Sequence, residues 1–345
     1  MVYNNTIINE LEALMDIRNR RALKQEAAVA LTAAPDQKKI IALYIGVSLL
    51  LSLVVTVLNH FLENMVADTS GLSNIGTRTI LQTVQTVLPM AQLAAVTFWD
   101  YGYQATAMRI ARRQSVDPRE LTDGFHLWGP ILRLTILQYM ISFGLTFASV
   151  YLGSMVFVFS PFAAPLSEAL APHVTTTVPA TEVLLADPAI VSAVMDSMLP
   201  MIGIILVIFL LLAVPVMYLF RMSAYCLLDN PRAGALAALL ESRKMMRRNR
   251  VHLLKLDLSF WWYHLLTLVL TAICYGDVLL PLVGVALPFG ETASTFLFYG
   301  IYMVACFAFS YVFRNQMEVT YVNAYEALKP KPQQGGVVLG NIFQM

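Results

Sequence analysis

The chain has 345 residues, of which 58% are hydrophobic and only 13% charged, with a formal net charge of +1 and a mean hydropathy of +0.64. Soluble domains carry roughly 25% charged residues; a chain this apolar cannot cover itself in water, so lipid must be the solvent for much of it. The net charge says little by itself, because the charges are segregated along the chain rather than merely scarce.

The leader, 1–39, reads as a cytoplasmic amphipathic segment. Ile7, Leu11, Leu14 and Met15 share one face at helical spacing, with acids and then bases opposite. Such a helix lies on the membrane surface or against a bundle, and its bases can meet anionic headgroups. The first apolar run starts only near Ile40, too late for the apolar core of a signal peptide, so insertion is expected to be driven by the spans themselves.

A spanning helix needs about 20 mostly apolar residues, and six stretches between residues 40 and 328 qualify. They are 40–62, 80–103, 131–159, 199–220, 258–274 with an apolar tail to 288, and 295–313, the last continuing as a helix beyond the bilayer. The second is diluted by Gln82, Gln85 and Gln92. Pro200 and Pro215 predict kinks in the fourth. The expected fold is therefore all-α: a polytopic membrane protein of six transmembrane helices, with an N-terminal amphipathic helix and short cytoplasmic helices.

The basic residues orient it. Every Lys and Arg except Arg78 falls at one set of alternate span ends, so by the positive-inside rule both termini are cytoplasmic. The cytoplasmic side then includes the basic loop 221–256 and the tail 329–345. The external loop, 160–196, holds Glu168, Glu182, Asp187 and Asp196 without one Lys or Arg. It reads as irregular up to Asp187-Pro188, which has the form of a helix start. Trp99, Trp128, Trp261 and Trp262 all sit toward the basic ends, as half of an interfacial aromatic belt would. Asp117-Pro118-Arg119 after span two is echoed by Asn230-Pro231-Arg232 after span four. Each triplet begins a short cytoplasmic helix, which fits either a parallel repeat or the ordinary frequency of cap-proline pairs.

The residues for chemistry are few. There is no phosphate-binding loop, zinc-protease helix or nucleophile elbow, so no catalytic residue and no enzyme activity are expected. Cys226, Cys274 and Cys306 stand far apart without metal-ligand spacing and read as small apolar fillers; neither metal nor cofactor is expected. Ionisable residues inside spans are costly and are candidates by default. Here they are Asp100, Arg133, Asp257 and His264. The first three lie near the cytoplasmic end, where Asp100 or Asp257 paired with Arg133 would make a structural charge cluster. Gln82, Gln85, Gln92 and Gln138 either bond between helices or line a polar cavity. Arg243, Lys244, Arg247, Arg248 and Arg250 crowd against the start of span five. That placement suits anionic lipid headgroups rather than nucleic acid, for which no recognition fold is visible.

The same segment carries a family resemblance. Glu241-Ser242-Arg243-Lys244-Met245-Met246, Asn249, Leu256-Asp257-Leu258-Ser259-Phe260 and Trp262 resemble the central motif of a bacterial membrane family, domain of unknown function 975. Thr320, Tyr321, Ala324, Tyr325 and Leu328 look like its closing aromatic pattern. Arg248 stands where the family usually has Gly, and Trp261-Trp262-Tyr263 replaces a more aliphatic run. The resemblance implies a multispan protein of the bacterial cell membrane and no activity. A looser kinship with membrane domains attached to glycerophosphodiesterases suggests a lipid or envelope context. The expected role is a non-enzymatic envelope scaffold or accessory protein; the alternative is a transporter or lipid handler with a polar cavity among spans two, three and five.

Overall fold

The computed structural model describes residues 17–68, 75–171, 188–282 and 290–329. Among these residues regular structure is helical, with no strand: α1 (Arg20–Ala33), α2 (Gln37–Asp68), α3 (Ile75–Ala111), α4 (Asp123–His126), α5 (Trp128–Val158), α6 (Ala164–Leu170), α7 (Pro188–Leu219), α8 (Ser223–Asp229), α9 (Gly234–Met246), α10 (Arg250–Leu258), α11 (Trp261–Cys274), α12 (Gly276–Leu282) and α13 (Glu291–Leu328). Five of them, α2, α3, α5, α7 and α13, are long and apolar enough to cross a bilayer; the count is six if α10 and α11, bent by 60° at their junction, form one span. In lipid every backbone polar group must be satisfied internally, and helices do so within one segment.

The chain divides into two compact units. The first comprises Met1–Ile131, Ala224–Arg232 and Val251–Met345, the second Leu132–Ser223 and Ala233–Arg250. In the first unit α2, α3 and α13 pack on one another, α11 packs along α13, and α1 lies on α13. Helix α1 begins at Asn19, whose side chain accepts from the Ala22 amide, and it buries Leu23, Ala27, Ala30 and Leu31. It is docked through its backbone as well: Asn323 Nδ2 donates to the Leu23 carbonyl (3.3 Å), Arg20 to the Lys255 carbonyl (3.2 Å), and Lys24 to the Ser259 carbonyl (3.0 Å). The Lys24 ammonium also sits 3.8 Å from the centre of the Phe260 ring. Partial burial, and then the neighbouring Arg20 charge, pull the Lys24 pKa below its ordinary value. The leader face Ile7, Leu11, Leu14 and Met15 lies outside the described residues.

The end of α3 is closed by Pro118–Thr122, one 3-10 turn started by Asp117, whose side chain accepts from the Arg119 amide (2.8 Å). This segment and α4 press so closely on α3 that side chains are excluded. A Cβ on Gly102 would stand 1.9 Å from the Leu121 carbonyl oxygen, and one on Gly124 the same distance from that of Phe98. Ile40, Ile41, Tyr44, Ile45, Trp99, Tyr103 and Leu121 form the buried cluster beneath. Trp99 belongs to that core, its indole N–H donating to the Tyr44 carbonyl (3.0 Å). It is thus a core residue and not a surface anchor, unlike Trp128 and Trp261, which are exposed. Pro231–Ala233 is likewise a short 3-10 turn, ahead of α9.

The fifth apolar stretch is not one straight helix. The Ser259 amide bonds back to Lys255 and Leu256, its hydroxyl donates to the Leu256 carbonyl (2.6 Å), and the chain turns at Phe260 before α11 starts. At 1.5 Å per residue the 14 residues of α11 reach only about 21 Å, and a turn at Tyr275 separates α12.

In the second unit α7 runs unbroken from Pro188 to Leu219 with Pro200 and Pro215 inside it. Between 160 and 196 the described residues are largely helical, in a 3-10 turn Pro161–Ala163, α6 and the first turns of α7; 172–187 lie outside the described residues. Val156 and Phe162 with Leu199, Pro200, Gly203, Ile204, Val207 and Ile208 line an open apolar cleft of about 590 Å³. Helix α9 is bolted to the end of α7 by one side chain. Ser242 donates to the Leu219 carbonyl (2.9 Å) and accepts from the Met222 amide (3.2 Å), serving two of the backbone groups that a helix end leaves open.

Candidate functional site

Polar side chains in the first unit concentrate where α2, α3 and α13 meet. Tyr44, Asp100 and Arg314 come from the three helices in turn. The Tyr44 hydroxyl donates to the Asp100 carboxylate, and the Arg314 guanidinium stands 3.7 Å from the same carboxylate. Arg314 lies over the Tyr44 ring, 4.7 Å from its centre, and 5.7 Å from that of Tyr103; the two rings stack at 4.2 Å. Tyr103 donates to Asn315 Oδ1 (2.7 Å), and the Asn315 amide donates to both oxygens of Gln37 (3.3 Å each). One turn on, Glu318 accepts from Tyr225 (2.6 Å). The side chains of Asp100 and Arg314 remain 37% and 32% exposed, so the pair is neither sealed in a core nor free on a surface. Arg314 Nε is buried without a hydrogen bond. Its charge is met by one carboxylate and two aromatic faces, the latter an accepted partner for a desolvated guanidinium.

A second group ties the helix ends. Arg112 bridges Asp229 (2.5 Å) and Glu326 (2.7 Å), and Lys329 bridges the same two acids (2.8 and 3.1 Å). Partial burial works against the Arg112 charge, but the hydrogen bonds it donates to Asp229 and Glu326 outweigh that and raise its pKa above the ordinary arginine value. Arg109 likewise takes Glu120 and Asp123, both at 2.7 Å. These basic side chains are saturated by acids of the first unit.

The basic cluster of α9 and the turn after it has the opposite character. Arg243, Lys244, Arg247 and Arg248 are all exposed, and no ion pair is formed by them among the described residues. Arg250 is half-buried and donates to the Pro215 carbonyl (3.4 Å).

Of the ionisable residues singled out from the sequence, only Asp100 sits in this polar centre, and its cation is Arg314 in place of Arg133. Arg133 belongs to the second unit and is exposed there; Asp257 is half-buried on α10; His264 is exposed on α11. Two of the glutamines have side-chain partners within their own units. Gln138 donates to Ser223 (2.8 Å) within the second unit, and Gln85 donates to Glu63 (3.4 Å) within the first. The three cysteines are unpaired by disulfide, and no group of three potential metal ligands occurs among the described residues.

Sequence reasoning passed over Tyr44, Arg314 and Glu318. A signal existed: Arg314, Glu318, Tyr321 and Tyr325 recur at helical spacing, which places them on one face of a helix already expected to continue past the bilayer. By charge alone Arg314 is one more basic residue at the expected cytoplasmic ends.

Comparison with known proteins places this architecture. A family model described as a protein of unknown function (DUF975) matches residues 15–330, a span that takes in α1, every long helix, the Ser242 bolt and the Arg314 centre. No curated protein and no solved structure matches the chain. The chain belongs to the DUF975 family of proteins of unknown function.

Proposed function

We propose that this chain is a non-enzymatic scaffold or accessory protein of a bacterial cell membrane, held and oriented at its cytoplasmic side by anionic lipid headgroups. One observation carries the reading: Arg243, Lys244, Arg247 and Arg248 are exposed and form no ion pair among the described residues, while Arg109 and Arg112 are saturated by acids. Unpaired cations crowded beside a span are satisfied most simply by headgroup phosphates, at about 1 kcal/mol per basic residue near an anionic surface. Ser242 supports the same reading, because it fixes the helix that carries the charges to the end of α7. The motif-free sequence supports a non-enzymatic role, and the one-sided basic residues support cytoplasmic termini.

Native mass spectrometry of the purified chain with phosphatidylglycerol tests it. The wild type should retain several phosphatidylglycerol molecules, and a variant with these four residues changed to Gln should lose most of them while keeping phosphatidylcholine unchanged. Equal phosphatidylglycerol retention by both proteins would remove the lipid contact from the proposal. Gln85 and Gln138 each have a side-chain partner, Glu63 and Ser223, as glutamines that join elements would.

A further inference from the structure

A different set of polar residues crosses the apolar thickness of the first unit. Along α2, Tyr44, Ser48, Ser52, Thr56, Asn59 and Glu63 recur every three or four residues, with His60 beside Asn59, so they lie on one broad face. The opposite face is Leu43, Val47, Leu50, Leu53, Val54, Leu58 and Phe61, all exposed and apolar, as a lipid-facing surface requires. Along α13, Tyr299, Tyr302, Cys306, Ser310 and Arg314 repeat the pattern, and α2 and α13 are packed together.

The polar face carries separate bonded groups along its length. Asp100 accepts from Tyr44, and Ser48 donates to the Tyr44 carbonyl (2.8 Å). In the middle, Tyr299 joins two residues of α2. Its hydroxyl lies 2.8 Å from Ser52 Oγ and accepts from Thr56 (3.3 Å). Toward the other end Asn59 Oδ1 is a buried acceptor without a hydrogen bond. His60 Nε2 lies 3.4 Å from the Asn64 amide, and Glu63 accepts from Gln85 (3.4 Å). From Tyr44 to Glu63 is about 28 Å of helix rise, close to the roughly 30 Å of a bilayer's hydrocarbon core.

Helix packing alone explains single serines and threonines, which bond to their own backbone. Hydrogen bonding between packed helices accounts for Ser52 and Thr56 meeting Tyr299, but not for an ionisable group at each end of one polar stripe that runs the length of the span. We propose that this stripe is a transmembrane proton path, with Asp100 as the terminal group at one end and His60 and Glu63 at the other. Each hydroxyl of the Thr56, Tyr299 and Ser52 triad can accept one proton on one side and pass one on, and rotation resets it. The unbonded steps, from the Tyr44 hydroxyl to Ser48, Ser48 to Ser52, Thr56 to Asn59 and Asn59 to Glu63, are each three or four residues, about 4.5 to 6 Å of helix rise, a gap that one water with two polar partners spans. The titratable and charged neighbours are Tyr44, Tyr103, Arg314 and Glu318 around Asp100, and Tyr302 and Cys306 on α13. The path does not depend on the lipid contact proposed above.

The full-length chain is reconstituted in phosphatidylcholine vesicles loaded with potassium and a pH-sensitive dye, and valinomycin then sets an inside-negative potential. Inward proton flux above that of protein-free vesicles is expected. Thr56→Val, which keeps shape and removes the hydroxyl, should cut the rate about tenfold, the scale of one lost net hydrogen bond. Thr56→Ser should keep the rate, and Tyr299→Phe should behave as Thr56→Val does. Melting curves matched to wild type show that the variants are folded; where Tyr299→Phe melts early, the two Thr56 variants decide. Flux no greater than in empty vesicles, equal flux in Thr56→Val and Thr56→Ser, or a current carried by potassium or sodium in place of protons would each overturn the path. Because phosphatidylcholine carries no net charge, failure here leaves the anionic-lipid reading standing, and the reverse.

Discussion

Ser242 holds two backbone groups between α7 and α8, donating to the Leu219 carbonyl at the end of one and accepting from the Met222 amide just before the other. Replacing it with Ala deletes both bonds in a buried place. A cost of about 1 to 3 kcal/mol is expected for groups left unsatisfied there, seen as a lower melting temperature in detergent, whereas Ser242→Thr should retain part of it. The Asp100 and Arg314 pair predicts an asymmetry. Asp100→Asn keeps an acceptor for Tyr44 and lets Arg314 rest on two rings, while Arg314→Leu leaves the carboxylate with Tyr44 as its remaining partner among the described residues. Both side chains are about a third exposed, so the losses stay below the 3 to 5 kcal/mol typical of fully buried pairs. Arg314→Leu should nevertheless melt lower than Asp100→Asn; the opposite order would mean that the rings, and not the carboxylate, set the energetics.

Among elements, one close joint in the first unit is between α3 and the turn and short helix that follow it. Two glycines let backbone meet backbone there, and neither opposing atom belongs to a flexible side chain. Gly102→Ala and Gly124→Ala should each destabilise by at least the roughly 1 to 3 kcal/mol of ordinary overpacking. Gly46 on α2 has open space where its Cβ would be, so Gly46→Ala should be neutral or slightly stabilising in the same melting assay. The second joint is the bend between α10 and α11. Composition identified an apolar stretch there but not its break, because Leu, Ser and Phe are all tolerated in a helix. The turn follows from Ser259 bonding back to Leu256 and from Phe260 packing beside Lys24 and Tyr321, contacts that reach far along the chain.

At the scale of the whole chain, the long helices and the placement of Lys and Arg make one further prediction. A reporter that fluoresces only in the cytoplasm, fused after residue 329, should be bright, and alkaline phosphatase at the same place should be inactive. The reverse pair of results would invert the proposed orientation and move Arg243, Lys244, Arg247 and Arg248 to the outer leaflet.

The sequence by itself determined the solvent, the helical class and the family. Spans are long apolar runs, readable one segment at a time, and the Ser242 to Phe260 motif is contiguous. It also located Asp100, since a carboxylate in an apolar run is conspicuous. Only the tertiary structure decided that Arg314 is its cation, that Trp99 is core, that α1 docks on α13, and that Ser52 and Thr56 meet Tyr299. Each of those pairings joins residues more than 50 positions apart, or three separate helices. Periodicity says which face of a helix is polar, but the partner facing it is chosen by how helices pack.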